Sequence, residues 1–318
     1  MTLLSNLEPF KNVEGKYVVK FKRSVVPYQN GFMFQLRIGD SSGEMMLRYW
    51  GAKNKEEVDK LYDSIKQDDV VSIKGESTDF KGLISINVNP PTGFVKVLKP
   101  GEYRKEEFIP VTERDQEQMF RELTELSGSI KNPDLKKLVH SFIEEDGEFS
   151  KKFREHPAAM YRHHGWVGGL LEHSLNMAKI CDFLSTLHKE LDRDLMIAGA
   201  ILHDIGKMKE LEVGSSIKVT AEGMMVGHLL LTMEMVNKKM EEIGTPEELR
   251  IKVKHIIASH HGKLEYGSPK TPAMPEALAV YYADDMDSKL VYMINHMKKA
   301  ATEDDYVYTP DFGNIYLK

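Results

Sequence analysis

Cysteine is almost missing from this 318-residue chain; the one thiol is Cys181. An internal disulfide is therefore excluded, and the fold must stand on its apolar cores, as in proteins of a reducing compartment. Cys181 lies in an apolar helical pattern and reads as a small core residue, not a nucleophile. Apolar runs of the ~20 residues needed to cross a bilayer are lacking. The start, Met1 to Pro9, has neither the basic region nor the apolar core of a signal peptide. A cytoplasmic protein is expected. Internal repeats and low-complexity tracts are absent as well. So is a phosphate loop: Gly165-Trp166-Val167-Gly168-Gly169 lacks the Walker lysine and follows no strand.

Strong charge of either sign is also missing, the net value being −6. Its distribution is uneven. Residues 1–100 hold 15 Lys and Arg against 12 Asp and Glu, and the remainder 28 against 37. The first part thus permits contact with a polyanion without requiring it. The acidic remainder would repel one unless bound cations invert the local field. With 41% hydrophobic and 29% charged residues, the chain is globular and long enough for two cores.

Histidine is what the second half has in unusual order. The stretch Ala198-Gly199-Ala200-Ile201-Leu202-His203-Asp204-Ile205-Gly206-Lys207 ends an apolar, small-residue run on an imidazole and a carboxylate. Buried there, the pair needs a partner, since an unpaired buried charge is costly. A His-Asp dipeptide alone is uninformative. Here it stands in a series: His163 and His164, His173, His203, His228, His260 and His261, then Ala283-Asp284-Asp285-Met286-Asp287. Satisfied structural histidines should not cluster this way, so a metal site is expected. His140, His156, His188, His255 and His296 are read as non-catalytic.

The first hundred residues read as strands. Lys16 to Val26 is a long first strand, and Phe32 to Ile38 alternates with Phe32, Phe34, Leu36 and Ile38 on one face. Asp40-Ser41-Ser42-Gly43 is a turn, and Glu44 to Trp50 is the next strand. Lys55 to Ile65 is an amphipathic helix with Val58, Leu61, Tyr62 and Ile65 inward. Val70 to Glu76 and Leu83 to Val88 follow, joined around Asp79-Phe80-Lys81-Gly82. This β-β-β-α-β-β order is that of an OB-fold barrel. Single strands are held by basic side chains on the backbone and aromatic rings under the bases. The candidates are Lys20, Lys22, Arg23, Arg37, Arg48, Tyr49, Trp50 and Phe80. For each, a solvated lysine or arginine or a core aromatic is the plain alternative.

Lys99-Pro100-Gly101 marks a boundary, with residues 101–112 a charged linker. Thr112-Glu113-Arg114-Asp115 suggests a capping box, and Asn132-Pro133 an N-cap with proline at N1. From there residues 113–302 read as all-helical. Helices are expected over Trp166–Leu187, Leu195–His203, Val226–Ile243 and Pro275–Met297, and one opened by Thr245-Pro246 that ends at His260-His261-Gly262. Gly206 is expected to stop the helix that carries the pair. Residues 303–318 form an aromatic tail.

The order His173, His203-Asp204, Asp284 resembles the signature of the HD superfamily of phosphohydrolases. More specifically, Tyr161-Arg162-His163-His164-Gly165-Trp166-Val167-Gly168-Gly169-Leu170-Leu171-Glu172-His173-Ser174, behind an OB-like segment, resembles the YhaM-type 3′-to-5′ exoribonucleases. The resemblance covers nearly the whole chain. It implies a multidomain protein, an N-terminal all-β OB-fold barrel followed by an all-α HD domain. On that reading His173, His203, Asp204 and Asp284 bind one divalent ion. His228, His260 and His261, with Asp204 bridging, bind a second. The HD pattern selects Asp284 over Asp285 and leaves Asp287 to orient a neighbour.

Mixed imidazole and carboxylate donors suit Mn, Fe, Co, Ni or Zn, with manganese implied by the resemblance. A metal-activated hydroxide is the expected nucleophile. Asp204, Lys207 and His164 are the expected catalytic residues. Lys207, three positions after Asp204, can reach the scissile phosphate or be an ordinary helix-end lysine. The implied activity is removal of 5′-nucleotides from the 3′ end of single-stranded RNA, with single-stranded DNA and a homo-oligomer left open. Two alternatives stand beside it. One is an HD phosphodiesterase acting on cyclic dinucleotides, although no Gly-Tyr-Pro follows His260-His261. The other is a strand-binding module with an inactive HD body.

Overall fold

The computed structural model describes residues 3–318 except 81, 105, 106, 145, 146, 161, 162 and 301–303. Tyr161 and Arg162 of the quoted motif, Lys81 of the strand turn and the junction at 301–303 therefore lie outside the described residues. Contacts divide the chain into residues 1–111 with 213–217, and residues 112–212 with 218–318.

Among the described residues the first unit has six strands and one α-helix: β1 (Asn12–Tyr28), β2 (Gly31–Asp40), β3 (Gly43–Trp50), α1 (Lys55–Ser64), β4 (Val70–Phe80), β5 (Leu83–Val88) and β6 (Phe94–Val97). β1 is long enough to serve two neighbours. Its second half pairs antiparallel with β2 and its first half with β4. Register shifts between Val19 and Phe21 and between Arg23 and Val26 bend it, as bulges do. β2 pairs with β3, β3 runs parallel to β5, and β5 returns to β4. The pairings thus run in a cycle, β1-β2-β3-β5-β4-β1, with α1 between β3 and β4. That is the OB-like topology the strand order implied. β6, which pairs with β4, was not legible in the sequence.

Alternation places the core as expected. Phe34, Leu36 and Ile38 of β2 are buried with Tyr17, Val19, Leu47, Ile73 and Ile86. Phe32 is only half-buried, at the end of the strand. The stretch after β6 packs as well: Phe108 is buried against Val18 and Val70, with Tyr103 beside it.

The second unit is built on helices α2 (Gln116–Gly128), α3 (Pro133–Ile143), α4 (Gly147–Glu155), α5 (Gly169–Leu187), α6 (Arg193–Leu202), α7 (Lys207–Glu210), α8 (Ala221–Val226), α9 (His228–Ile243), α10 (Glu247–Ser259) and α11 (Pro275–Lys299). α5 and α6 lie at its centre, buried on most sides, and α2, α3, α4, α10 and α11 pack around them. Two small hairpins complete the elements: β7 (Leu211–Val213) with β8 (Ile217–Val219), whose residues 213–217 fall to the first unit, and β9 (Tyr306–Thr309) with β10 (Gly313–Tyr316) in the second. These strands are short and lack a long alternation, so periodicity gave no warning of them.

Several local expectations change. Asp115, not Thr112, caps α2, accepting from the Glu117 and Gln118 amides. Asn132 caps α3 with Pro133 at the first turn, as read. Thr245 makes no side-chain cap; Pro246 precedes α10. The helix expected over Val226–Ile243 is α9, beginning at His228; the short α8 before it was not expected, and the two are parted at Gly227, whose φ of 79° and ψ of 153° no helix accommodates. Among the described residues, no helix is long and apolar enough to cross a membrane.

Candidate metal centre

Five histidines and two aspartates converge in the helical unit, from five places in the chain. α5 carries His173 in its second turn. His203 and Asp204 follow the last residue of α6, in the turn leading to α7. His228 opens α9, His260 and His261 follow α10, and Asp284 sits mid-way along α11. Gly206 does not end a helix through a left-handed cap; its φ is −63°. It is glycine because α9 passes close by: a Cβ there would meet the His228 carbonyl at 2.4 Å and the Thr232 amide at 2.5 Å. Its own amide donates to Thr232 Oγ1 at 2.9 Å. This close approach holds His228 near the His203-Asp204 turn.

The histidines share one orientation. Each Nδ1 faces an acceptor: Asp287 Oδ2 for His173 at 2.7 Å, the Ala200 carbonyl for His203 at 2.8 Å, and the Ile257 carbonyl for His260 at 2.9 Å. Glu210 Oε1 serves His228 at 3.0 Å, and the Tyr266 carbonyl serves His261 at 3.1 Å. An acceptor at Nδ1 fixes the proton there and turns the Nε2 lone pair inward. The Nε2 atoms then meet one another. His173 and His203 stand 3.2 Å apart, as do His228 and His261. Two inward lone pairs at such a distance repel unless a cation lies between them.

Asp204 joins the two groups. Its Oδ2 lies 3.3 Å from His203 Nε2 and 3.7 Å from His173 Nε2. Its Oδ1 lies 3.5 Å from His228 Nε2 and 3.6 Å from His260 Nε2. Asp284 Oδ1 is 3.3 Å from His173 Nε2. Asp204 Oδ1 and His260 Nε2 are buried and have no hydrogen-bond partner. Orphaned polar atoms of this kind are expensive, and a divalent ion bound to both removes the cost. His203, His260 and Asp284 form a further donor triad, and His228, His260 and His261 another. With imidazole and carboxylate donors and no thiolate, these residues fit a hard-to-borderline divalent cation.

Electrostatics agree. Burial alone would raise the Asp204 carboxyl, but Lys207, His203 and His260 hold it well below the usual carboxylate range. Burial opposes charge on His173, yet Asp284 and Asp287 outweigh it and lift the imidazole to about 10. The field at its Nε2 therefore favours positive charge, which a metal cation supplies as well as a proton does. His261 goes the other way, to about 4, through burial and then the neighbouring His260 and His228. Lys207 is buried with Nζ 2.6 Å from Asp204 Oδ2. Burial would lower its pKa; Asp204 more than offsets that.

His164, expected among the reacting groups, is placed behind them. It is fully buried and its Nε2 lies 2.9 Å from Asp287 Oδ2, the oxygen that holds His173. Its φ of 50° is a left-handed value, uncommon for a residue with a side chain though less so for histidine than for most. Glu172 stands 3.8 Å from its Nδ1 and accepts from Trp166 Nε1 and Thr112 Oγ1. His163, part of the same histidine series, is half-buried with its ring 6.1 Å from that of His173. Burial, then Lys207, holds its pKa down to about 3. Two residues of the site escaped the sequence altogether. Asn176, three positions after His173, donates to Asp287 Oδ1 at 2.9 Å, and that helical spacing was a usable signal. Glu210, which orients His228, gave none.

The eight strand-unit candidates divide. Arg23 and Arg37 are exposed and Arg48 is half-buried, its guanidinium on Ser85 Oγ at 2.7 Å. Register sets Arg23 opposite Gln35, Gln35 opposite Arg48, and Arg37 opposite the exposed Phe21. These share the outer face with Trp50, whose Nε1 donates to Asn87. Phe21 is an exposed aromatic that the sequence reading passed over. Phe80 is 67% exposed near the β4–β5 turn. Lys20 is half-buried, and burial lowers its pKa. Lys22 is engaged within the unit: its Nζ donates to the Tyr62 and Ile65 carbonyls at 2.8 and 2.7 Å, at the end of α1, over the Tyr62 ring. Tyr49 stacks on Phe34 at 4.8 Å as part of the core.

A largely helical body that gathers histidines and aspartates in this order is that of an HD-domain phosphohydrolase, and the HD domain family matches residues 170–289. Two proteins named 3′-5′ exoribonuclease YhaM narrow this. That of Bacillus licheniformis is 32% identical over 260 residues, 81% of this chain and 79% of that protein. That of Bacillus subtilis is 30% identical over 261 residues, again 81% and 79%. The chain belongs to the YhaM exoribonuclease family. Among solved structures, the OB domain of a Thermoplasma acidophilum protein aligns with 31% of this chain and 86% of its own, at 16% identity and a TM-score of 0.22.

Proposed function

We propose that the protein is a metal-dependent 3′-to-5′ exonuclease that hydrolyses single-stranded RNA to 5′-mononucleotides. The observation that carries this reading is the set of five imidazoles anchored at Nδ1 and turned inward on Asp204 and Asp284. His173, His203, Asp204 and Asp284 would hold one divalent cation, and His228, His260, His261 and the second oxygen of Asp204 another. Such a pair supplies Lewis-acid activation of water and of the phosphodiester. Manganese suits the donors and the resemblance.

The chain's own residues do the rest. Asp204 presents one oxygen to each histidine group. Lys207, poised 2.6 Å from that carboxylate, brings positive charge to where a phosphoryl oxygen would gain negative charge. Asp287, Glu210 and three carbonyls lock the imidazole tautomers. His164 acts through Asp287 and is a positioning residue. In the strand unit, Arg23, Arg37 and Arg48 would hold the phosphate backbone while Phe21 and Trp50 offer faces to bases. Tethering the strand to the chain raises its local concentration at the pocket. The single, buried Cys181 fits a cytoplasmic setting.

The test is incubation of the pure protein with Mn²⁺ and end-labelled single-stranded RNA, beside a cyclic dinucleotide. A ladder shortening from the 3′ end is expected. Cleavage of the dinucleotide alone, or a mobility shift without products, would replace this reading.

A further inference from the structure

The five inward imidazoles of the centre are each held at Nδ1 by an acceptor. Another imidazole stands beside them without such a partner. His163 lies shortly before α5, its ring 6.1 Å from that of His173 and 6.3 Å from that of His164. Lys207, then His173 and Asp284, are the strongest charges acting on it, so the ring borders the centre itself. Asp284 Oδ1 in turn lies 3.3 Å from His173 Nε2. Among the described residues His163 makes no hydrogen bond or ion pair, and none of the donor groups able to hold a metal includes it. It is half-buried, so a molecule entering the centre can reach it. His164, its neighbour in the chain, is by contrast fully buried on Asp287.

We propose that His163 is a catalytic residue of the phosphodiester hydrolysis read above, its ring N–H donating to the 3′ oxygen as that oxygen departs. The role rests on that hydrolysis. Burial, then Lys207, keeps the ring uncharged, so one nitrogen carries a hydrogen and the other a lone pair. The reaction gathers negative charge in two places. Lys207 meets it on the phosphoryl oxygens, and the departing oxygen is the second place. His163 brings there a donor that no described group engages. In the step, the oxygen of a water bonds to phosphorus and its proton is lost to solvent. The P–O3′ bond breaks, its electron pair passes to O3′, and O3′ takes a proton from solvent. No proton leaves the imidazole; its hydrogen bond tightens as the alkoxide develops and so favours the transition state over the bound substrate.

Two substrates test this on the full chain with Mn²⁺: the ribodinucleotide UpU and the p-nitrophenyl ester of uridine 5′-monophosphate. Both release uridine 5′-monophosphate, but p-nitrophenolate is a stable anion and departs without a donor. His163→Phe keeps a ring beside His173 and removes the N–H. Its kcat on UpU should fall about 100-fold, the loss expected when one donor to a developing oxyanion is removed, with KM little changed. On the nitrophenyl ester the loss should be slight. Manganese content by elemental analysis should match that of the native protein. His163→Ala should show the same split between substrates, and it serves if phenylalanine is not tolerated. Equal losses on the two substrates, or loss of manganese, would make His163 a support of the centre and overturn the assignment. So would unchanged turnover of both by an active protein. A native protein idle on both substrates would overturn the hydrolysis itself, and this role with it.

Discussion

Each imidazole of the centre is held twice, once by an acceptor at Nδ1 and once by whatever Nε2 meets, and the two holds can be separated by mutation. Asp204→Ala removes the carboxylate that both histidine groups share. It should lower turnover at least about 100-fold and strip the metal, seen by elemental analysis, while strand binding by gel shift persists. Retained turnover would rule out the assigned role. Asp287→Asn is subtler, because the residue touches no inward nitrogen. It keeps the shape but offers His173 and His164 a weaker acceptor, so metal affinity should fall about 10- to 100-fold. An unchanged affinity would mean that the His173–Asp287–His164 chain only fills space. Cys181 makes the opposite kind of prediction. Burial, then Asp182, pushes its thiol up to about 12, so the reactive thiolate is scarce at pH 8. A thiol reagent should leave the native protein untouched and label one site per chain after unfolding.

Helix ends, more than helix bodies, distinguish one element from the next. α1 ends on a borrowed cap: Lys22 of β1 donates to two of its last carbonyls and lies 3.8 Å above the Tyr62 ring. Lys22→Ala should cost about 1–2 kcal/mol of stability in the strand unit, read as a lower melting temperature. The salt dependence of RNA binding should stay as it was. A flattened salt dependence would return Lys22 to the strand-binding set. Gly227 likewise separates α8 from α9. His228 must begin α9 to receive Glu210 at both its backbone amide and its ring, and a straight helix from Ala221 would not present it so.

Over the whole molecule, the proposed division of labour sets long substrates apart from short ones. Arg37→Glu combined with Arg48→Glu, in the intact chain, should weaken attack on long single-stranded RNA far more than on a dinucleotide. It should also flatten the salt dependence of binding, since each lost phosphate contact removes a released counterion. Equal loss on both substrates would argue against the strand unit as the grip. The histidine order, the strand alternation and the β-β-β-α-β-β succession were all legible in the chain, because they are periodic or ordered along it. So was Asp287 as an orienting residue. What the chain could not show was which imidazole stands behind another. His163 and His164 are neighbours in sequence, yet a left-handed turn sends only His164 into the core to meet Asp287.

By itself, then, the amino-acid order determined the two-part architecture and the ordered histidines that pointed to a metal site. These depend on residue type and spacing, which local sterics and hydrophobic burial translate directly into strands and helices. Tertiary structure alone decided the rest: that Glu210 and Asn176 sit beside the centre, and that Lys22 and Tyr49 pack into the fold. Such roles depend on which residues from distant segments meet, and no periodicity along a chain encodes a meeting across 18 residues, as at Glu210 and His228, or across 123, as at His164 and Asp287.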